Sequence, residues 1–405
     1  MYILYNILQL RKRGSCLCAR KNNEIAAVVD ISSDIVRMRI SQMYGGKISD
    51  LERLEYPINI GHDVFTTGII SSKTVSEISN IMKSFARLLK EYKISKCRVI
   101  ATTAVREAKN YEFVLDQLKT QNGIDVDVLD SNYQKSQVFC EAESLIKSLG
   151  MKEEYLKSTL MVYIGTASIG IALYFEGLIS FWCNLQIGCV RIYDIFREII
   201  DRKDNINTLM DEYLWQSIGR LKEDFIGYSI NNIIILGSDV HILNNILDAD
   251  QINGIYRVQS EKVFSLYSML NSFTAEKLES KFGISQRESK LIYGTLAIYV
   301  NLLNLVNAKY VITPKIELWD CAISNILCSN KDNIYRSHVK ENSVSCAKMI
   351  AQREKCDINH CELVRKIANR MFDRLKKFHG LNSKNRTLLE ICCYLHDCQN
   401  SAGIK

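Results

Sequence analysis

Only two prolines, Pro57 and Pro314, occur in the 405 residues of this chain. Such scarcity argues against long disordered linkers between its domains. Cysteine is plentiful at 14 residues, but paired CxxC motifs are missing, so the sequence does not support a zinc site of the usual spacing. Because several cysteines lie within apolar runs, where a free thiol packs as a small core residue, we expect a reducing, cytoplasmic location.

A long uninterrupted apolar stretch is also missing. Residues 1–10 are apolar but too short to span a bilayer, and their basic cluster at 11–13 follows them, whereas it would precede the apolar part of a signal peptide. We interpret residues 1–22 as an N-terminal extension and expect no membrane partner. The net charge of +7 is a mild excess that suits an anionic ligand, and we expect no nucleic-acid partner.

The pattern of apolar residues predicts two similar halves. From residue 24 it indicates strand, turn, strand and a third strand, followed by alternating helices and strands. A second strand–turn–strand at residues 160–174 begins the same plan again. The sequence therefore predicts an α/β fold with lobes at 23–150 and 151–328 and an all-α segment at 329–405. Two unrelated α/β domains remain the alternative on pattern alone.

Two motifs in this order identify a family. Residues 26–40 form a strand, a tight turn around Asp30 and Ser33, and a second strand, and residues 101–106 read Ala-Thr-Thr-Ala-Val-Arg. Together they resemble the exopolyphosphatase / guanosine pentaphosphate phosphohydrolase (Ppx/GppA) family. The resemblance implies two ribonuclease-H-like lobes facing one cleft, as in the superfamily of actin, heat-shock chaperones and sugar kinases. It also implies magnesium as cofactor, inorganic polyphosphate or a guanosine polyphosphate as ligand, and a homodimer.

The first-lobe turn retains part of the family's phosphate-binding pattern. By resemblance, Asp30 matches the family's aspartate, Ser33 its turn serine and Arg37 its basic position. Ser32 replaces the usual glycine, and Asp34 replaces the usual asparagine with a carboxylate that would repel phosphate unless a metal lay between them. An ordinary polar β-turn is the alternative.

The second-lobe turn departs further from the family. Gly165 and Ser168 match its phosphate-binding glycine and serine, but Tyr163 stands in place of its aspartate and Gly170 in place of its glutamate. Both acids that hold magnesium or position water are therefore missing. Thr166 adds a β-branched side chain, which is poorly suited to a turn that requires positive φ.

The family's general base lies in a segment that reads Ile-Ser-Gly-x-Glu-Glu-Ala-Arg. Residues 129–136 of this chain align with that segment and read Leu-Asp-Ser-Asn-Tyr-Gln-Lys-Ser. Gln134 therefore stands at the position of the base. Its amide can orient water but cannot take up a proton at neutral pH.

Two arginines match basic positions of the family, whereas its acidic positions are substituted. Arg106 ends the Ala-Thr-Thr-Ala-Val-Arg motif, and Arg191 ends a Gly-Cys-Val-Arg segment that matches the family's Gly-Ala-Val-Arg. The resemblance implies that both bind phosphate, for which a planar guanidinium is well suited. The alternative for Arg106 is an ion pair with Glu107.

The helical segment after residue 329 resembles the opening half of an HD-type domain and is expected to be incomplete. His360 and the pair His396-Asp397 match the first metal ligands of such domains. We assign no metal to them, because His396 and Asp397 also fit the polar end of a core helix.

The sequence thus predicts a degenerate Ppx/GppA-type protein that binds a phosphate-rich anion with weak or no hydrolysis. An active exopolyphosphatase or pppGpp phosphohydrolase with rearranged residues is one alternative. A non-catalytic interaction protein is the other. The substitutions at Tyr163, Gly170 and Gln134 separate the binding protein from the active hydrolase. Convergence of Arg106 and Arg191 on the cleft is expected to separate the binding protein from the interaction protein. A Tyr163 side chain that fills the cleft would favour the interaction protein.

Overall fold

The computed structural model describes residues 24–45, 47–148, 157–202, 206–237, 240–252, 255–327 and 334–398. The N-terminal extension predicted at 1–22 lies outside these residues. So do residues 150, 151, 328 and 329, at which the domains were expected to meet. The domain bounds therefore stay predictions.

The first lobe is a five-stranded sheet with helices that follow its strands. Its strands are β1 (Glu24–Ile31), β2 (Ile35–Tyr44), β3 (Lys47–Pro57), β4 (Lys96–Ala101) and β5 (Val126–Val128). Its helices are α1 (Ile60–Thr67), α2 (Ser72–Glu91), α3 (Thr103–Glu107), α4 (Tyr111–Asn122) and α5 (Ser131–Ser148). The strand order is β3-β2-β1-β4-β5, with β1, β4 and β5 parallel and the two hairpin strands antiparallel.

The second lobe is a seven-stranded sheet. Its strands are β6 (Ser158–Ile164), β7 (Ile169–Phe175), β8 (Leu178–Leu185), β9 (Asn232–Leu236), β10 (Asp250–Ile252), β11 (Ile255–Gln259) and β12 (Tyr310–Pro314). Its helices are α6 (Cys189–Arg202), α7 (Ile206–Ile218), α8 (Leu221–Asp224), α9 (Val240–Ile246), α10 (Ser260–Met269), α11 (Ala275–Phe282) and α12 (Gln286–Leu303). The strand order is β10-β11-β12-β9-β6-β7-β8.

The two sheets repeat one topology. In the second sheet, β6, β7, β8, β9 and β12 take the places that β1 to β5 take in the first, with the same parallel and antiparallel pairings. Strands β10 and β11, which the sequence did not predict, extend the sheet beyond β12. The predicted α/β fold with two similar lobes is confirmed.

Helices α5 and α13 (Leu318–Leu327) lie between the two sheets. Side chains of both lobes and both helices form one apolar cluster there, including Ile100, Phe139, Met161 and Trp319. Helix α13 contacts β1, although it follows the second lobe in sequence. Because burial of this apolar surface favours association of the lobes, the edges of the two sheets that carry the turns are held close together.

The helices beyond the lobes confirm the predicted all-α segment. They are α14 (Ile334–Arg353), α15 (Ile358–Arg374), α16 (Lys376–His379) and α17 (Ser383–Leu395). Helix α14 contacts β8 and α5. A small apolar core joins α14 to α15 and α17 and includes Ala347, Ala351, Cys361 and Tyr394. Across the described ranges, no helix is long and apolar enough to cross a bilayer.

The apolar pattern predicts a long helical stretch at 261–307, and the structure divides this region into three helices and a short 3-10 turn. Thr274 accepts a hydrogen bond from the amide of Lys277 and begins α11. Gly283, at a left-handed φ of 64°, ends it, and Ser285 forms a capping box with Glu288 that begins α12. These local hydrogen bonds interrupt an apolar pattern that by itself suits one long helix.

Candidate functional site

The first-lobe turn holds an ion pair between its two strands. Asp30 and Arg37 are opposite residues of β1 and β2, and Nε of Arg37 donates to Oδ2 of Asp30 at 3.0 Å. Ser32 also donates to both Asp30 oxygens, at 3.1 and 3.2 Å. The Asp30 side chain is 1% exposed, so this carboxylate is held by neighbours of its own turn.

Arg37 is further held by the helix between the lobes. Its Nη1 lies 2.6 Å from the Glu317 carboxylate, and its guanidinium lies 4.3 Å from the ring centroid of Trp319. Burial opposes its charge, but Asp30 and Glu317 raise the pKa of Arg37 above its usual value. Arg37 is therefore a buried, fully paired cation.

The second-lobe turn replaces that ion pair with uncharged groups. Tyr163 of β6 lies opposite Gly170 of β7, the same positions that Asp30 and Arg37 occupy in the first lobe. The Tyr163 hydroxyl is 3.4 Å from Nε2 of Gln134, and burial raises the pKa of Tyr163. Because these positions carry no carboxylate, the second turn cannot neutralise a cation as the first does.

Gly165 closes this turn without a left-handed backbone. Its amide donates to the Ser168 carbonyl at 3.0 Å, and a Cβ at residue 165 would lie 2.9 Å from that oxygen. Neither Gly165 nor Thr166 has a positive φ. The expectation that a positive φ would strain Thr166 is therefore wrong. Gly165 is needed because a Cβ would not fit beside the Ser168 carbonyl, not because the turn requires a positive φ.

Lys135 fills the space beside Gly170. A Cβ at residue 170 would lie 2.4 Å from Cδ of Lys135, so the lysine side chain passes directly over the glycine. Its Nζ donates to Oγ of Ser131 at 3.1 Å and Oγ of Ser168 at 3.0 Å, and also to Oδ1 of Asn184. Lys135 is 1% exposed, and burial, reinforced by the charge of Arg106, lowers its pKa to about 7.

The two turns contact each other. Thr166 donates to Oγ of Ser33 at 3.0 Å, and Nε of Arg287 at the start of α12 lies 2.6 Å from the Asp34 carboxylate. These bonds leave a cavity of about 20 Å³ between the turns, which we call the cleft pocket. Its lining residues are Ser32, Arg37, Thr102, Thr103, Gln134, Tyr163, Gly165, Thr166, Ala167 and Ser168.

The two predicted phosphate-binding arginines lie outside the lining of the cleft pocket. Arg106 donates to the Leu129 carbonyl and, at 3.1 Å, to Thr103 Oγ1. Arg191 pairs with Glu107 and lies 4.4 Å from the ring centroid of Phe65. Glu107 therefore forms its ion pair with Arg191, and not with Arg106 as the alternative expected. Phosphate binding by either arginine stays a prediction.

Arg191 lines a larger cavity of about 590 Å³ between the lobes. The residues of this side pocket are Val64, Phe65, Glu107, Gln186, Ile187, Arg191, Ile195, Tyr213 and Ser217. Helix α3 connects the two pockets, since Thr103 at its start lines one and Glu107 at its end lines the other. At 1.5 Å per residue, these two positions are about 6 Å apart along the helix.

The N-terminus of α6 points at the second-lobe turn but is already hydrogen-bonded. The amides of Cys189 and Val190 donate to the carbonyls of Gly165 and Thr166, at 3.2 and 2.9 Å. A Cβ at Gly188 would lie 2.4 Å from the Ala167 backbone, so only glycine permits this approach. Because these amides bind the turn itself, they hold the turn in place rather than face an open anion site.

The residues around the cleft pocket do not fit the magnesium that the family resemblance implies. Magnesium requires oxygen ligands and is usually held by at least one carboxylate. Among the described residues, the lining of the cleft pocket includes no carboxylate, and Asp30 is bound by Arg37 and Ser32. The Lys135 ammonium, 3.0 Å from Ser168, would also repel a divalent cation at this place.

Three residues of the helical segment do come together, as the HD resemblance implies. One ligand atom each of His360, His396 and Asp397 lies within 4.8 Å of the others. Nε2 of His396 is 3.3 Å from Nε2 of His360 and 3.5 Å from the Asp397 carboxylate. Two imidazoles and a carboxylate suit a divalent cation, and our assignment of no metal to them stays a prediction.

The repeated lobes, and the pocket between their turns, define an α/β protein with paired ribonuclease-H-like lobes. Residues 39–318 match the Ppx/GppA phosphatase family. The structure is similar to that of an Aquifex aeolicus member of that family, with a TM-score of 0.60 and 20% sequence identity over 77% of this chain and 100% of the other. It is also similar to an exopolyphosphatase from Cytophaga hutchinsonii, with a TM-score of 0.64 and 16% identity over 75% of this chain and 98% of the other.

This chain belongs to the Ppx/GppA phosphatase family. The structure brings together Asp30, Ser33, Arg37, Gln134, Gly165 and Ser168 of the predicted site and leaves Arg106 and Arg191 at its margin. Lys135 was missed, because its signal is a pair of substitutions: a lysine where the family motif has alanine, and Gly170 where the family has glutamate.

Proposed function

We propose that this protein binds inorganic polyphosphate or a guanosine polyphosphate between its lobes, with weak or no hydrolysis. One observation carries the binding part of the proposal. Lys135 is a buried basic side chain with a pKa lowered to about 7, and its three hydrogen-bond partners, Ser131, Ser168 and Asn184, are all uncharged. A buried charge without a counter-ion is costly, so an anion that reaches the second-lobe turn gains from its presence.

The groups around the cleft pocket support phosphate oxygens in particular. The hydroxyl-bearing residues Ser32, Thr102, Thr103 and Ser168 line it together with Arg37. Hydroxyl and guanidinium donors are typical partners of phosphate oxygens. Because the lining comes from both lobes, a ligand held there contacts both turns at once.

Weak hydrolysis follows from the groups at the acidic positions. Gln134 stands where the family has its general base, and Tyr163 and Gly170 stand where it has two acids. Loss of general-base catalysis alone typically costs about 10²- to 10⁴-fold in rate. The buried Oε1 of Gln134 has no hydrogen-bond partner among the described residues, so it can accept a hydrogen bond from a water and orient it, but it cannot deprotonate that water.

A non-catalytic interaction protein is the second candidate, and the size of the cleft pocket favours it. A cavity of about 20 Å³ admits a water molecule but not a phosphate group. Tyr163 lines this cavity, and the Ser33–Thr166 hydrogen bond and the Asp34–Arg287 ion pair hold the first-lobe turn against the second lobe. Binding of a polyphosphate therefore requires the two turns to separate.

Calorimetric titration with tripolyphosphate and with guanosine tetraphosphate tests the proposal, alongside phosphate release from long-chain polyphosphate. We expect saturable binding and release at the uncatalysed rate. Ser168→Ala should weaken binding about 2- to 10-fold, because one hydrogen bond is lost. Ser76→Ala, on an exposed face of α2, is the matched control and should bind as the unmodified chain does.

The three candidate functions give different results in these assays. Absence of binding by both anions would contradict the proposal and support the interaction protein. Clear phosphate release that Arg106→Ala abolishes would instead support an active hydrolase with rearranged residues. Binding without release would support the proposal as stated.

A further inference from the structure

The same feature of the second-lobe turn explains why the cleft pocket does not fit magnesium and why Lys135 lies beside it. The lysine side chain occupies the space beside Gly170, the position at which the family has a glutamate. The ammonium group reaches Ser168, the turn residue that matches the family's phosphate-binding serine. A positive charge supplied by the chain thus lies at the turn from which an acidic side chain has been lost.

We propose that Lys135 replaces the divalent cation at the second-lobe turn, so that this protein binds phosphate-rich anions without a metal. The inference rests on the proposed function, because it concerns how the same cleft holds its ligand. It assigns to Lys135 a positioning role that acts through Ser168.

The hydrogen bond between Lys135 and Ser168 explains that role. In the ammonium form, which a bound anion favours, Nζ of Lys135 carries only donors, so Oγ of Ser168 accepts from it at 3.0 Å. The Ser168 proton is then available to donate to an anion in the cleft pocket, which Ser168 lines. Removal of the ammonium would free this hydroxyl to rotate, and the donor would no longer be directed at the ligand.

The charge of Lys135 acts on the same ligand over a short distance. An anion oxygen bound to Ser168 Oγ at about 2.7 Å would lie at most about 6 Å from Nζ. At an effective dielectric constant of ~20, one unit charge at that distance corresponds to a change in affinity of about 100-fold. We expect 10- to 100-fold in practice, because Arg106, whose charge acts on Lys135, remains nearby and continues to attract the anion.

Proton uptake provides a second signature. Burial lowers the pKa of Lys135 to about 7, and the charged or titratable groups that act on it are Arg106, Cys183, Asp130 and Glu107. An anion beside the amine favours its ammonium form, so its pKa rises when ligand binds. At pH 8 the unmodified protein should therefore take up protons on binding.

The experiment is a calorimetric titration with tripolyphosphate at pH 8 in several buffers, in EDTA and, separately, in excess magnesium at matched ionic strength. We expect binding in EDTA, with an apparent proton uptake between zero and one. Lys135→Met keeps the length of the side chain over Gly170 and removes the charge. It should weaken binding 10- to 100-fold and abolish the proton uptake.

Lys83→Met is the matched control, since Lys83 is an exposed lysine of α2 in the first lobe, and it should change affinity less than twofold. Binding only in magnesium, or unchanged affinity and proton uptake in Lys135→Met, would overturn the inference and leave the proposed function standing. No binding in either medium would contradict the proposed function itself. The comparison of EDTA with magnesium needs no variant, so it decides the question even if Lys135→Met does not fold.

Discussion

The two lobes carry the same hairpin at the same place in their sheets, yet the hairpins hold different charges. In the first lobe, Asp30 and Arg37 face each other across the hairpin and form a buried ion pair. In the second lobe, the corresponding positions are Tyr163 and Gly170, and the nearby cation, Lys135, comes from α5 of the other lobe. The first hairpin therefore satisfies its own charge, whereas the second holds a charge with uncharged partners only.

This difference shows that one backbone topology can serve two electrostatic designs. A buried ion pair is stable only while both partners are present, because removal of one leaves the other without a counter-ion. Removal of a buried ammonium that is bound to hydroxyl and amide oxygens leaves no unpaired charge behind, so we expect it to cost less stability. While the ammonium is present, its charge remains available to a ligand. The four predictions below test this contrast, beginning with the substitution expected to cost the most stability and ending with the one expected to cost the least.

Arg37→Met is expected to give the largest loss of stability. The variant leaves Asp30 buried and Glu317 partly buried without their cation, which typically costs about 3–5 kcal/mol in the free energy of unfolding. Urea denaturation measures it. The double variant Asp30→Asn/Arg37→Met should recover part of the loss. A loss below about 1 kcal/mol would show that the first hairpin does not depend on its ion pair.

Gly170→Glu restores the family's residue but should destabilise this chain. The new Cβ would meet Cδ of Lys135 at 2.4 Å, and such overpacking typically costs about 1–3 kcal/mol. Addition of Lys135→Ala, which restores the family's alanine, should remove most of that cost. A double-mutant cycle by urea denaturation measures the coupling. Additive costs in the double variant would mean that the lysine and the glycine are not a matched pair.

Stability should depend on pH through Lys135. Its pKa is lowered to about 7 in the folded protein from 10.5, so between these values the unfolded chain binds a proton that the folded chain does not. The free energy of unfolding should therefore rise with pH from about 7 to 10, by up to roughly 1.4 kcal/mol per unit. Below pH 7 both states are protonated and this dependence ends.

The variant Lys135→Met isolates that contribution, because other groups titrate in the same range. The difference between the pH profiles of the unmodified protein and of this variant should show the rise. Parallel profiles would mean that Lys135 keeps an ordinary pKa in the folded protein.

The smallest effect is expected for the contact between the first-lobe turn and α12. Asp34→Asn removes a partly exposed ion pair with Arg287, which should cost about 0–1 kcal/mol. The same change should strengthen tripolyphosphate binding a few-fold, since a carboxylate that repels the anion is lost. Arg287→Gln is the control: it breaks the same pair but retains the carboxylate, so it should not strengthen binding.

Much of the fold could be predicted from the sequence. The strand–turn–strand units, helix α2 and strand β4 have short-range signals, because apolar residues at fixed spacing identify the face that is buried. The short strands β10 and β11 were missed, since three to five residues give little periodicity. The apolar pattern does not separate helices α10 to α12, because the helix caps formed by Thr274 and Ser285 interrupt a pattern that is otherwise continuous.

The candidate site could be predicted only in part. Asp30, Arg37, Gly165 and Ser168 lie in the strands and turns of two hairpins that the sequence identifies directly. Lys135 could not be predicted, because its neighbours Ser168 and Asn184 are 33 and 49 residues away in the chain. The space beside Gly170 that its side chain occupies forms only once the tertiary structure brings α5 next to β7.

The sequence by itself determined that this chain has two similar α/β lobes, a helical segment and substituted acidic positions, because periodicity and motif order are local properties. The tertiary structure decided which charges are paired. Arg37 meets Glu317 at a separation of 280 residues, and Arg287 meets Asp34 at 253. Such pairs form only when the packing of α13 and α12 brings the lobes together, and they leave Lys135 with neutral partners.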